Sequence, residues 1–366
     1  MDAASEPDSV SSRVRAVLRE AILKAGGWLP FDRFMTIALY EPGLGYYAHG
    51  SPKFGTMPAS GSDFVTAPEL SPYFGRALAA QLRQALQACG GDTVFEFGAG
   101  SGALAEQLLD ALGDAVRHYR IVDLSGSLRA RQARRLERFG ERVQWLDRLP
   151  DTMHGVVIGN EVLDAMPVQL LHWDGDAWSE RGVVMNHGAF AWADRPTALH
   201  PPLDGPFVPG TITEIHPQAE AFVRSIADRL QCGAAFFVDY GFPEAEYYHP
   251  QRHGGTLMCH RGHRADSDPL QDPGLKDITA HVNFTGIALA GQDAGLEVLG
   301  YTSQARFLLN CGLLPLLEGA GIAERAMAQK LITEHEMGEL FKVIGFAKGC
   351  AFDALGFVSG DRSHRL

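Results

Sequence analysis

The stretch T-V-F-E-F-G-A-G-S-G, Thr93 to Gly102, constrains the fold of this chain more than any other. Val94, Phe95, Glu96 and Phe97 favour an extended strand, and Gly98, Gly100 and Gly102 follow at every second position. Ala103-Leu104-Ala105-Glu106-Gln107-Leu108-Leu109 then has the apolar spacing of a helix. A strand that turns through glycines into a helix lets backbone approach a ligand closely and leaves unpaired N–H groups at the helix start. The expected ligand is nucleotide-like.

Two ligand classes satisfy the pattern. G-A-G-S-G-A fits the G-x-G-x-x-G/A fingerprint of dinucleotide binding, and Asp123 follows about twenty residues on, where such a fold wants a carboxylate for ribose hydroxyls. The same residues fit the E-x-G-x-G-x-G pattern of class I methyltransferases, which hold S-adenosyl-L-methionine in the same architecture. Glu96 separates the two. A carboxylate two residues before the first glycine repels a pyrophosphate, but it accepts a bond, often through water, from the ammonium group of S-adenosyl-L-methionine. The alternative is structural, with Glu96 pairing a buried arginine or capping backbone. Two later strand ends are also polar: Asp147, placed to meet an adenine amino group, and Asn160-Glu161. Ligands of open α/β sheets bind beyond the carboxyl ends of strands, where Glu96, Asp123, Asp147 and Asn160-Glu161 are expected to gather. Taken singly, each is an ordinary turn or cap residue.

Composition narrows the setting. With 366 residues, 46% of them hydrophobic, the chain can build one large elaborated domain or two modest ones. A formal charge of -12 argues against nucleic acid and anionic membrane as partners, and Arg129, Arg131, Arg134, Arg135 and Arg138 read as the solvent face of one helix. Cys89, Cys232, Cys259, Cys311 and Cys350 are odd in number and contain no C-x-x-C pair, which suits a reducing compartment. His249, His253, Cys259, His260 and His263 show no ligand spacing on a defined element, so no metal is expected. No run of eighteen apolar residues occurs, and Met1 to Ser12 is acidic, so the expected location is the cytoplasm.

Periodicity predicts amphipathic helices over Ser11–Ala25 and Phe31–Tyr40. A long loop follows to Gly61; its aromatics and those flanking it, Tyr46, Tyr47, Phe54 and Phe64, suggest a ligand-covering segment. The next helix runs from about Pro72 to Ala88. From Thr93 strands alternate with helices, the mark of a doubly wound α/β sheet. Seven strands are predicted near Val94–Phe97, Tyr119–Asp123, Val143–Leu146, Gly155–Gly159, Ala234–Asp239, Glu297–Thr302 and Val343–Gly349. Helices are predicted near Ser101–Leu112, Ser127–Phe139, Pro217–Gln231, Asp277–Ala294, Ser303–Cys311 and Ile322–Thr333. The plan is an N-terminal helical extension with its covering loop over 1–88 and a Rossmann-like domain over 89–366. That domain carries a β meander inserted at 167–213 and a loop at 241–276.

Nearly end to end, the chain resembles the MidA-like methyltransferases, a family whose mitochondrial member is a protein-arginine methyltransferase acting during assembly of respiratory complex I. The resemblance rests on A-L-Y-E-P-G-L-G-Y-Y from Ala38, D-F-V-T-A-P-E-L-S-P-Y-F-G from Asp63, F-E-F-G-A-G-S-G from Phe95, G-N-E-V-L-D-A-M-P-V from Gly159, V-D-Y-G from Val238 and D-I-T-A-H-V-N-F from Asp277. The glycine block is common to many methyltransferases; T-A-P-E from Thr66 and N-E-V-L-D-A from Asn160 are more particular. Position 123 is Asp where the family more often has Glu, and position 283 is Asn where Asp is commoner.

The resemblance implies a class I methyltransferase sheet and S-adenosyl-L-methionine as cofactor, held by Thr66, Pro68, Glu96, Gly98, Gly100, Gly102, Asp123, Asp147 and Asn160. It implies methyl transfer to a guanidinium nitrogen of a protein, with symmetric dimethylation in the mitochondrial case. A guanidinium is too basic for simple deprotonation, so carboxylates must hold it and localise its charge. Glu161 is the first such clamp, Asp164 the second and Glu214 the third. Asp164 reads equally as a helix-first-turn carboxylate. Asp239-Tyr240-Gly241 lines the acceptor channel or packs, and His263 and His281 serve hydrogen bonding in the acceptor region. The implied partners are a protein substrate, with a complex I subunit as the specific case, and a second copy of the chain in a homodimer. The rival readings are a nicotinamide-dependent oxidoreductase, disfavoured by Glu96, and a non-catalytic assembly chaperone that retains the fold.

Overall fold

A computed structural model describes residues 6–48, 65–123, 126–262 and 264–366. The chain divides into two compact units. The meander unit takes Met1–Ser51, Asp164–Ala219 and Phe242–Asn283; the sheet unit takes Pro52–Leu163, Glu220–Gly241 and Phe284–Leu366.

The sheet unit is built on β1 (Thr93–Phe97), β2 (His118–Val122), β3 (Val143–Leu146), β4 (Met153–Asn160), β5 (Leu230–Phe242), β6 (Glu297–Ser303) and β7 (Phe341–Lys348). They lie in the order β6-β7-β5-β4-β1-β2-β3. Neighbours from β3 to β5 are parallel, and β7 runs antiparallel to both β5 and β6. β1 is buried at every position, which is why T-V-F-E-F shows no clean alternation of apolar and polar residues. The chain steps outward from β1 through β2 to β3, then returns to place β4 on the other side of β1. That reversal makes the carboxyl ends of β1 and β4 the topological switch point, where such sheets bind ligands. Phe97 pairs with Gly159, so Gly98 and Asn160 follow side by side there. This is the class I methyltransferase fold that the sequence predicts.

The helix Tyr73–Cys89 buries Phe74, Ala77, Leu78 and Leu82 in one core with Leu104 and Leu108 of the helix Ala103–Leu112 and with Val94, Val156 and Ile158 of the sheet. Each fully buried Leu or Phe contributes roughly 1.5–3 kcal/mol. The extension expected over 1–88 is therefore divided: this helix belongs to the sheet unit because its apolar stripe seals one face of the sheet.

The meander unit holds Gln169–Trp173, Trp178–Asn186 and Ala189–Pro196 as successive antiparallel strands, extended by Thr211–Ile215 and by Leu29–Pro30. Phe31 and Phe34 of the helix Phe31–Tyr40 pack on Trp192 and Phe190, with ring centroids 5.3 and 5.5 Å apart. Two expectations need correction. Residues 241–276 are not all loop, because Met258–Arg261 forms a small sheet between Arg264–Asp266 and Asp277–Thr279. The helix predicted from Asp277 begins instead at Phe284. Asp277, Ile278 and Thr279 are buried in strand pairing with a segment nineteen or so residues earlier, and β-branched Ile278 and Thr279 suit it. Most of the covering segment, including Phe54 and Phe64, lies outside the described residues. Tyr47 stacks on Tyr40 at 5.6 Å, and its hydroxyl donates to Asp277 Oδ1 at 2.8 Å. Among the described residues no helix is long and apolar enough to cross a membrane.

Candidate functional site

β1 runs out into a turn in which Gly98, Gly100 and Gly102 have φ of +63°, +53° and +83°. L side chains disfavour this region, and at Gly98 a Cβ would also stand 3.0 Å from Val162 Cγ2. Gly102 is the N-cap of the helix Ala103–Leu112 and brings no side chain to cap that helix start.

The T-A-P-E segment is fastened to this turn. Gln107 Nε2 donates to the Pro68 carbonyl at 2.7 Å. Ser101 Oγ donates to Glu69 Oε1. Arg135 donates to Glu69 Oε1 at 3.2 Å, to Ser101 Oγ at 2.9 Å and to Glu106 Oε2 at 2.8 Å. Thr66 opens the segment half-buried, with its hydroxyl not used as a cap. Glu69 and Arg135 are thus positioning groups that the sequence reading missed. The arginine face also differs from a plain solvated one: Arg129 pairs with Asp147 at 2.7 Å and Arg138 with Asp110 at 2.6 Å.

Glu96 is 2% exposed, and Tyr119 of β2 donates its hydroxyl to Oε2 at 2.7 Å. Burial pushes the carboxyl up to about 8; the tyrosine bond opposes the rise and the nearby Asp123 charge adds to it. Its partner is neither an arginine nor backbone. Asp123, after β2, accepts from Gln132 Nε2 at 2.7 Å. Asp147 is turned outward, 85% exposed and held by Arg129, so the structure does not gather it with the other strand-end groups as expected. The guanidinium on the helix Gly126–Leu136 captures its carboxylate first.

At the end of β4, Asn160 Nδ2 donates to Glu161 Oε1 at 3.0 Å, while Asn160 Oδ1 is buried without a hydrogen-bond partner among the described residues. Glu161 stands at φ +54°, a left-handed conformation that costs a non-glycine residue about 1 kcal/mol or more. Surrounding bonds over-determine it. Glu161 N donates to Val238 O at 2.9 Å, and Asp239 Oδ2 accepts from Val162 N at 3.1 Å and Leu163 N at 2.9 Å. Asp239 is 1% exposed, so it positions this turn instead of lining a channel.

In the meander unit, Asp164 is buried in a turn, outside any helix, and its carbonyl accepts from Ala280 N at 3.0 Å. Tyr47 lies close enough to feel its charge: burial first, then Asp277 and more weakly Asp164, raise the phenol well above its ordinary value. Glu214 is fully buried. Its Oε1 accepts from Thr256 N at 2.8 Å and Leu257 N at 3.0 Å, and its Oε2 from Tyr247 Oη at 2.8 Å and Thr256 Oγ1 at 3.2 Å. Burial raises its carboxyl although these bonds pull the other way. Both oxygens are occupied, so Glu214 anchors residues 256–257 and is not the guanidinium clamp that was expected. His281 N donates to Thr256 Oγ1 at 3.0 Å; His263 lies outside the described residues.

The strand-end set of the sheet unit fits S-adenosyl-L-methionine. It offers a left-handed glycine turn for close backbone approach, a held carboxylate at Asp123, a buried acceptor on Asn160 that no described residue satisfies, and a buried Glu96 that ionises most readily beside a cation. Residues 77–302 match the family model of S-adenosyl-L-methionine-dependent methyltransferases. The chain belongs to this MidA-like family.

Family membership decides between the two ligand classes: the cofactor is S-adenosyl-L-methionine and the enzyme class is methyltransferase. A similar solved structure, a superfamily member from Burkholderia thailandensis bound to S-adenosyl-homocysteine, is 50% identical, covers 100% of both chains and superposes with a TM-score of 0.95. A native crystal structure from the same organism gives 50% and 0.92. Among curated relatives, the mitochondrial protein arginine methyltransferase NDUFAF7 of Danio rerio is 28% identical, covering 91% of this chain and 87% of its own. The Mus musculus protein of the same name is 27% identical over 89% and 81%.

Proposed function

We propose that this methyltransferase modifies a guanidinium nitrogen of arginine in a protein substrate. The observation that carries the proposal is Glu161, a carboxylate kept in a strained backbone conformation at the switch point by Asn160 and Asp239. Strain retained by such a network marks a side chain aimed for function. A guanidinium stays charged at neutral pH, so a fixed carboxylate is the group that can orient it and take up its charge as one nitrogen becomes nucleophilic. When bound, S-adenosyl-L-methionine supplies an electrophilic methyl group. Glu161 holds the acceptor in line and receives the proton that the methylated nitrogen releases.

On the cofactor side we assign the backbone of Gly98, Gly100 and Gly102, the Asp123 carboxylate to the ribose, Asn160 as an acceptor, Thr66 through its hydroxyl, and Glu96 through its charge. Asp164 stays in the acceptor assignment on the N-E-V-L-D-A motif alone. Relatives named protein arginine methyltransferases support the arginine reading. A complex I subunit as acceptor, and a homodimer, rest on the family resemblance. The five free cysteines fit a reducing compartment such as the cytoplasm.

The test is transfer of tritiated methyl from S-adenosyl-L-methionine to proteins of a cell extract, followed by acid hydrolysis and amino-acid chromatography. Label in methylarginine, lost with E161Q, is expected. Label on another residue type, or equal label with E161Q, overturns the arginine reading.

A further inference from the structure

Gln132 belongs to none of the sequence motifs, yet it is 0% exposed and its whole side-chain amide is engaged. Nε2 donates to the Gly100 carbonyl at 3.0 Å and to Asp123 Oδ2 at 2.7 Å, while Oε1 accepts from Trp145 Nε1 at 2.8 Å. One amide therefore joins the turn after β1, the carboxylate after β2 and the indole on β3. A Cβ at Gly102 would lie 3.5 Å from Gln132 Cα, so the helix that carries Gln132 packs directly against the turn.

The chemistry of these three partners selects an amide. Two acceptors face Nε2 and one donor faces Oε1, and only a group with two N–H donors and a carbonyl oxygen satisfies all three. A glutamate here would set a carboxylate oxygen against the Gly100 carbonyl and the Asp123 carboxylate. The bonds also have directional consequences. Pinning the Gly100 carbonyl towards Gln132 turns the Ser101 N–H of the same planar peptide to the opposite side. The bond to Oδ2 sets the rotation of the Asp123 carboxylate. We infer that Gln132 is a positioning residue that preorganises the S-adenosyl-L-methionine cradle from behind, holding the Gly100 peptide and Asp123 in their binding orientation. This rests on the assignment of the glycine turn and Asp123 to the cofactor. It places part of the affinity for S-adenosyl-L-methionine in a residue that touches no ligand.

Calorimetric titration of the full chain with S-adenosylhomocysteine tests the inference, using wild type, Q132M, Q132E and W145F. Methionine keeps the volume and loses every bond; glutamate keeps the Trp145 contact and reverses the other two. The dissociation constant is expected to rise roughly 10- to 100-fold for Q132M, and further for Q132E. The KM for S-adenosyl-L-methionine should rise by a similar factor while kcat changes far less. A purely structural glutamine would lower the melting temperature and leave this split unmoved. Folded Q132M that binds within about twofold of wild type overturns the inference. If Q132M does not fold, W145F decides: it removes the indole bond together with part of the ring and keeps an aromatic at the site, and a weakening of roughly threefold is expected, whereas unchanged affinity overturns the inference. Wild type that fails to bind S-adenosylhomocysteine defeats the cofactor assignment itself, a result distinct from equal binding by wild type and variant.

Discussion

Asp239 Oδ2 accepts the backbone N–H of Leu163 at 2.9 Å, so a buried carboxylate on β5 sets the path of the chain directly after Glu161. The same oxygen holds Val162 N at 3.1 Å. These bonds keep Glu161 at φ +54°, where glycine would sit without strain. E161G is expected to raise stability by about 1 kcal/mol while methyl transfer collapses. D239A strips the acceptor from two amides and should lower stability by about 2–4 kcal/mol. Urea unfolding measures both, and a destabilised E161G would sink the strain argument.

Glu96 makes stability depend on pH in an unusual direction. Its folded value of about 8 lies above the ordinary 4.5, so between these values the folded state binds more protons than the unfolded one. Stability from this group is present below about pH 4.5 and is lost as pH rises towards 8, by up to ~1.4 kcal/mol per pH unit. E96Q should match wild type near pH 4.5 and exceed it at pH 8.5. Thermal melts across that range check the difference; a constant offset would refute the buried, ionisable role.

Glu214 is expected to matter for folding and not for the methyl transfer step. E214A leaves the Thr256 and Leu257 amides and the Tyr247 hydroxyl without their acceptor in a buried site. The expected cost is about 3–5 kcal/mol, read from denaturant midpoints. Any E214A enzyme that remains folded should keep its kcat; a large fall in kcat at unchanged stability would restore Glu214 to the chemistry.

Local sequence determined the strand, glycine turn and helix around Gly98, seven of the sheet's eight strands, the meander and the strand-end location of Asn160 and Glu161. Those features rest on residues within a few positions of one another, where turn sterics and apolar periodicity act directly. Tertiary structure alone decided what each polar group does. Gln132 meets Gly100 across 32 positions, and Asp239 meets Leu163 across 76. The same burial that pushes Glu96 up to about 8 leaves Glu214 surrounded by four donors, while Asp147, similar in sequence setting, ends exposed beside Arg129. A carboxylate's role depends on its desolvation and on the donors that the fold brings to it, and those come from chain segments that no local pattern links.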